Sequence, residues 1–265
     1  MERMVQNQQD ITGLVGVPRD LAGRRAIVTG GSRGIGAAIV ARLAAAGAEV
    51  VAVARAAVAD TPDVHFIAGD LRSKDGVDAV AAAALDHLGG VEIIVNNAGA
   101  SRLPPGGALA IEPDQWQEDL DINFLAAVRL NAALAPQMLE RGSGAIVHIA
   151  SSAAYTLPGG LLHYGVSKAA LIAYSKGLAT DLAPRGVRVN TITPGSIQTP
   201  GGDSVREQIA AAIGAEPAAL LATIPAGHIG RVDDIAEAVA YLVSDRASFI
   251  IGANLIIDGG ELDRT

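Results

Sequence analysis

The chain repeats one alternation from end to end: a short, unbroken apolar run, then a longer stretch with helical spacing. The apolar runs are RRAIVTG (24–30), EVVAVA (49–54), VHFIAGD (64–70), VEIIVNNAG (91–99), AIVHIAS (145–151), VRVNTIT (187–193) and ANLIID (253–258). A strand with one wet face alternates apolar and polar residues, whereas a strand covered on both faces stays apolar throughout. Between the runs lie GIGAAIVARLAAAG from Gly34, SKDGVDAVAAAALDHLG, a longer helical region over 113–140, a stretch from about Leu161 to Leu182 and one starting near Val232. The part over 194–230, rich in Gly, Pro and Ala, reads as looser. This pattern predicts an α/β fold: a single doubly wound, Rossmann-type domain with a mostly parallel sheet and helices on both faces. No linker divides it, so the domain is expected over 23–265, after a polar N-terminal arm at 1–22.

Composition narrows the function. Hydrophobic residues make up 50% and charged residues 18% of the chain, enough for a large core and, with so little charge, for surface covered by other subunits. A net charge of -8 argues against nucleic acid or an anionic membrane as partner. The absence of cysteine excludes disulfides and thiolate chemistry. The opening MERMVQNQQDITGLVG lacks the basic start and apolar run of a signal peptide, and Arg42, Glu49 and Arg55 interrupt the longest Ala/Val-rich region. A cytoplasmic protein that neither crosses nor binds a membrane is expected. With no His/Asp/Glu group at metal-ligand spacing, no catalytic metal is expected either.

Ligands of doubly wound sheets bind beyond the carboxyl ends of the strands, so the residues just past each strand matter most. After the first comes TGGSRGIG, with Gly30, Gly34 and Gly36. Glycines let the backbone turn tightly and approach a pyrophosphate, and the next helix offers free N–H groups at its positive end; a tight turn needed only for packing is the other reading. After the second strand an acidic residue would select NAD by binding the ribose 2′-hydroxyl. This chain has Arg55 there, which with Arg33 suits a 2′-phosphate. NADP(H) is therefore the expected cofactor, with NAD(H) still admissible. Asp70, followed by Leu71, either accepts from the adenine amino group or caps the next helix. NNAG, with Asn97, Ala98 and Gly99, leaves room for a flat ring or is simply a two-Asn turn. After the fifth strand come Ser151 and Ser152, then Tyr164 and Lys168, one turn apart in HYGVSK. After the sixth, TPGSIQT, with Pro194 and Thr199, can wrap a carboxamide.

Taken together and in this order, TGGSRGIG, NNAG, Asn123 in DIN, Ser151, YGVSK, PGSIQT and the closing DRASFIIGANLIIDGG resemble the short-chain dehydrogenase/reductase family over roughly residues 22–260, in its NADP-preferring, 3-oxoacyl reductase-like form. The resemblance implies catalytic roles for Asn123, Ser151, Tyr164 and Lys168. It implies cofactor contacts at Gly30, Ser32, Arg33, Ile35, Gly36, Asn97, Gly99, Tyr164, Lys168, Gly195, Ile197 and Thr199, and a homotetramer formed through the long helices and the C-terminal strand.

Reducing a ketone needs a hydride on carbon and a proton on oxygen. A free tyrosine holds its proton with a pKa of about 10, and a lysine cation one turn away is expected to lower that value. Tyr164 is then the general acid, Lys168 its tuner and, by resemblance, a holder of the nicotinamide ribose. Ser151 would bind the carbonyl oxygen, and Asn123 would hold a water linking Lys168 to solvent. His163 reads as a packing or substrate-rim residue. Residues 200–226 are the expected substrate lid, and their apolar, Ala-rich second part suits a small carbonyl or alcohol with a hydrophobic or acyl portion. Two other activities stay open: an NADP(H)-binding sensor without turnover, and an epimerase or dehydratase on the same fold.

Overall fold

A computed structural model describes residues 19–56, 58–100, 102–214, 216 and 224–263. Seven strands form one parallel sheet: β1 Arg25–Thr29, β2 Glu49–Ala54, β3 Val64–Ala68, β4 Ile93–Asn96, β5 Gly144–Ile149, β6 Val187–Pro194 and β7 Asn254–Ile257. Their order is β3-β2-β1-β4-β5-β6-β7. The first strand is thus central, paired with β2 through Ala26↔Val50 and with β4 through Ala26↔Ile93. The chain changes direction across the sheet at β1 and β4, which opens a crevice at their carboxyl ends.

Helices cover both faces, as the unbroken apolar strands predict. Helix α1 (Gly34–Ala45) and helix α8 (Val232–Val243) pack on one face with Val28, Val50, Val95 and Val147; helices α2 (Lys74–Leu88) and α4 (Ala126–Arg141) pack on the other with Ile27, Val51, Ile94 and Ile146. Local signals set the boundaries. Ser73 caps α2 by accepting from the Gly76 N–H at 3.1 Å, and Gly89, at φ +67°, ends it. Of the arm expected over 1–22, residues 1–18 lie outside the described residues; Leu21 is buried in the core and its N–H bonds the Ala46 carbonyl.

Two segments differ from the sequence-based expectation. The long helical region is α3 (Pro113–Leu120) and α4 joined by a π-helical turn at Asp121–Leu125. The start of the looser region is itself a helix, α7 (Pro200–Ile213): the Thr199 hydroxyl accepts from the Gly202 N–H at 2.9 Å, and Pro200 occupies the first turn, where its missing N–H costs nothing. Of the expected lid, residues 215 and 217–223 lie outside the described residues.

A directed polar chain crosses the core. Asn96 Nδ2 donates to Asn131 Oδ1 at 3.0 Å, and Asn131 Nδ2 lies 2.9 Å from His148 Nε2, which must then accept. The remaining imidazole proton sits on Nδ1, 3.0 Å from the Ser175 hydroxyl on helix α6 (Leu162–Leu182). Complete burial, helped by the Lys168 charge, lowers the His148 pKa to about 3, so the folded protein keeps it neutral. An unfolded histidine takes up its proton near 6.5, so the unfolded state binds more protons between those values. Stability should therefore fall as the pH drops below about 6.5, by up to about 1.4 kcal/mol per pH unit from this residue. Denaturant unfolding at stepped pH checks this, and replacing His148 with Asn should flatten the slope.

Candidate active site

The glycine turn after β1 is built by close contact. Gly30 has φ +68°, a left-handed conformation open to glycine. A Cβ on Gly36 would lie 2.1 Å from the Gly30 carbonyl oxygen and 2.5 Å from Asn97 Nδ2. Gly36 therefore lets the start of α1 pack directly against the Gly30 carbonyl and the Asn97 amide. Helix α1 starts without a side-chain cap, since the Arg33 side chain makes no cap bond, and its leading N–H groups face the crevice end of the sheet. Thr199 faces the turn from across the crevice: a Cβ on Gly34 would sit 3.3 Å from Thr199 Cγ2. Ser32, Arg33 and Arg55 are exposed at this edge.

Asn97 braces the turn instead of lining it with its amide. Its Nδ2 donates to the Thr29 carbonyl at 2.9 Å, and the Thr29 hydroxyl accepts from the N–H groups of Asn97 and Ala98 at 3.0 and 2.9 Å. Thr29 opens the TGGSRGIG motif, but the motif reading gave roles to its glycines and none to the threonine, whose bracing bonds show only in the folded turn. Leu71 and Ile197 are buried and Ile35 packs against the core, which leaves mainly backbone groups of these residues for a ligand. Of the two readings of Asp70, the helix cap does not hold: Ser73 caps α2, while the Asp70 carboxylate is exposed and pairs with Arg72 at 3.1 Å. The Pro194 carbonyl accepts the Ser152 N–H, and Ser196 is held by Glu261, whose Oε2 would lie 2.3 Å from a Cβ on Gly195.

Beside the turn, four side chains converge. Asn123, in the π-turn, exchanges two bonds with the Ala100 backbone, accepting at 3.0 Å and donating at 2.8 Å. A Cβ on Gly99 would meet Asn123 Oδ1 at 2.8 Å and Lys168 Nζ at 3.3 Å, so only a glycine lets these two side chains pack against the backbone here. The Asn123 side chain is thus committed to shaping the loop. Lys168 Nζ donates to the Ile149 carbonyl at 2.9 Å and lies 5.8 Å from the centre of the Tyr164 ring. Ser151 adjoins the Tyr164 hydroxyl, and its own oxygen accepts from the Ala153 N–H at 3.2 Å.

The electrostatics correct one expectation. Burial raises the Tyr164 pKa above its ordinary value; the Ser151 hydroxyl opposes this and the Asp119 charge adds to it. Spacing alone suggested the reverse. The reason is the desolvation of the phenol itself; Lys168 is buried too, at 3% exposure, and its own desolvation brings its pKa down to about 8, with Asp119 working against that shift. His163 is a packing residue and not a rim residue: at 1% exposure it lies edge-on to Trp116, 6.2 Å between ring centres, with Asp119 3.7 Å away.

Among the described residues no cluster of three His, Cys, Asp or Glu side chains could hold a metal, and no helix is long and apolar enough to cross a membrane. A cavity of about 290 Å³ opens at the other end of the sheet, between Arg24, Glu92, Arg188 and Asp245. Its charges are already paired: Arg24 with Asp245, Glu92 with Arg25, and Arg188 with the Leu242 and Ser244 carbonyls.

The chain is similar along most of its length to known proteins. The family model described as Enoyl-(Acyl carrier protein) reductase matches residues 30–261. The 3-oxoacyl-[acyl-carrier-protein] reductase of Vibrio cholerae is 34% identical over 248 residues, covering 91% of this chain and 98% of that one. D-threitol dehydrogenase of Mycolicibacterium smegmatis is 38% identical over 250 residues, covering 91% and 93%. The crystal structure of L-sorbose reductase from Gluconobacter frateurii, complexed with NADPH and L-sorbose, superposes with a TM-score of 0.84 at 32% identity, covering 93% of this chain and 99% of that one.

Proposed function

Because the chain belongs to the short-chain dehydrogenase/reductase family of NAD(P)-dependent oxidoreductases, we propose that it uses NADP(H) to interconvert a ketone and a secondary alcohol, with Tyr164 exchanging the proton. One observation carries the proposal: the Tyr164 hydroxyl lies beside the Ser151 hydroxyl, with Lys168 one turn away, next to a glycine turn shaped for close approach to the backbone. The cradle fits a dinucleotide, since the free N–H groups at the start of α1 suit phosphate.

NADPH, when bound, supplies the hydride. Ser151 hydrogen-bonds the carbonyl oxygen and fixes its position. Tyr164 gives that oxygen its proton. A tyrosine whose pKa is raised by burial is fully protonated at neutral pH, and an alkoxide forming beside it is far more basic than a phenolate, so donation still runs downhill. Lys168 then steadies the phenolate until the proton is replaced. A raised Tyr164 pKa keeps the phenol in the protonated form that reduction uses. With both amide ends of Asn123 held by Ala100, a water from solvent to Lys168 would rest on the Asn123 backbone carbonyl in the π-turn.

Arg55 and Arg33 are the residues assigned to the 2′-phosphate. Replacing Arg55 with Ala should weaken NADPH about tenfold, the loss of one charge-assisted contact, and change NADH less than about twofold. Fluorescence titration with both cofactors checks this; equal losses would remove the assignment. Relatives reduce acyl thioesters or act on polyols and ketoses by name, so NADPH oxidation against short-chain 3-oxoacyl thioesters, ketotetroses and ketohexoses decides the substrate and tests turnover itself. Exposed Phe249, Ile251 and Leu255 near edge strand β7 support self-association, with a homotetramer as the proposed assembly.

A further inference from the structure

We propose that Asp119 and His163 form a buried, proton-sharing pair that acts as counter-charge to Lys168, and so are positioning residues for the Tyr164 proton step; the inference deepens the oxidoreductase reading and rests on it. The two groups come from the elements that carry the catalytic side chains. Asp119 sits in α3 one turn before Asn123, and His163 directly precedes Tyr164 at the start of α6. Trp116, one turn before Asp119, holds the imidazole edge-on. Both groups are buried, at 7% and 1% exposure, and His163 Nε2 lies 3.7 Å from Asp119 Oδ2. That is ion-pair range but too long for a direct hydrogen bond. Among the described residues, neither Asp119 Oδ2 nor His163 Nδ1 has any hydrogen-bond partner.

A buried carboxylate without hydrogen bonds is costly to keep charged, and replacing such a pair by apolar residues commonly stabilises a fold. The charges that act on Asp119 are few. Glu118, its neighbour on α3, repels it; Lys168 on α6 and Arg102 on the preceding loop attract it. Arg102 is exposed and lies 3.9 Å from Glu118. Lys168 is the buried cation of the three. The influence is mutual, because Asp119 holds the Lys168 pKa up and Lys168 holds that of Asp119 down. Burial raises Asp119 to about 6 and lowers His163 below its ordinary value, so the two affinities converge. One proton can then reside on either group at similar free energy, as carboxylic acid plus neutral imidazole or as carboxylate plus imidazolium, taken up by each in equilibrium with solvent and not handed across the 3.7 Å gap. Near neutrality the carboxylate is charged and Lys168 stays protonated; on acidification the pair takes up one proton and the counter-charge disappears.

Two measurements test this. The first is the pH profile of kcat/KM for NADPH-dependent ketone reduction by the full-length protein and by Asp119→Asn. Losing the carboxylate lowers the affinity of Lys168 and Tyr164 for protons, so the alkaline limb should move to lower pH by about one unit. NADPH affinity at pH 7 should stay within about twofold. An unmoved limb in a variant that still binds NADPH overturns the proposal, since a structural role alone would lower activity without shifting the limb. The second, needed if Asp119→Asn does not fold, is the 15N NMR titration of His163 in the unaltered protein. Two inflections are expected, one from Asp119 near pH 6 and one from the imidazole itself at lower pH; a single inflection at the ordinary histidine value overturns the proposal. If the unaltered protein reduces no ketone, the oxidoreductase reading fails, while the NMR titration still decides whether the pair shares a proton.

Discussion

Replacing Tyr164 with phenylalanine is expected to lower kcat for ketone reduction by about 10²- to 10⁴-fold, the range of a lost general acid, while NADPH binding changes less than about threefold. The ring stays in place, half-buried and 5.8 Å from Lys168 Nζ, so only the hydroxyl is removed. That hydroxyl lies beside Ser151 and can give up a proton, with a buried cation nearby to stabilise what is left. The loss should fall on kcat and kcat/KM alike, because the proton moves only in the transition state. Steady-state kinetics paired with a binding titration separates the effects. Undiminished turnover would show that another group donates, and the mechanism proposed for this chain would be wrong.

The second large effect is expected at Gly36. A methyl group there would sit 2.1 Å from the Gly30 carbonyl oxygen and 2.5 Å from Asn97 Nδ2. Neither neighbour can yield cheaply: Gly30 already adopts φ +68°, and the Asn97 amide is bonded to the Thr29 carbonyl at 2.9 Å. Gly36→Ala must therefore open the turn. We expect about 1–3 kcal/mol of lost stability, as for other overpacked sites, and at least about tenfold weaker NADPH. Thermal unfolding with and without NADPH measures both, and the stabilisation that NADPH gives the unaltered protein should be largely lost in the variant. Unchanged cofactor affinity would mean that the turn is a packing device with no part in phosphate binding.

Much of the fold could be read from one property of the chain. Every unbroken apolar run became a strand, and in the central strands β1, β2, β4, β5 and β6 nearly every residue is buried, as a strand covered on both faces requires, whereas the edge strands β3 and β7 are mostly half-buried. What spacing could not convey was which groups end up dry. Tyr164 and Lys168 were legible as a pair, but the direction of the tyrosine shift was not, since burial outweighs attraction here and depth is a property of packing. Asp119, between Glu118 and Leu120 on a helix with exposed acids, looks like any solvated carboxylate until α3 is seen against α6. The π-turn at Asp121–Leu125 shifts the helix face by one residue, and DINFL carries no local signal for it. Helix α7 was legible in principle: Thr199 followed by Pro200 is a cap and first-turn pair, but the glycines after it point the other way.

The central place of β1 carries a consequence for how the molecule is made. Its neighbour β2 comes soon after it along the chain, but its other neighbour, β4, begins only at Ile93. The brace from Asn97 to Thr29 comes later still. On a ribosome the chain has to hold its first strand half-paired until that partner emerges, and closing so long a loop is slow. During that interval the unsatisfied edge of β1 is open to mispairing.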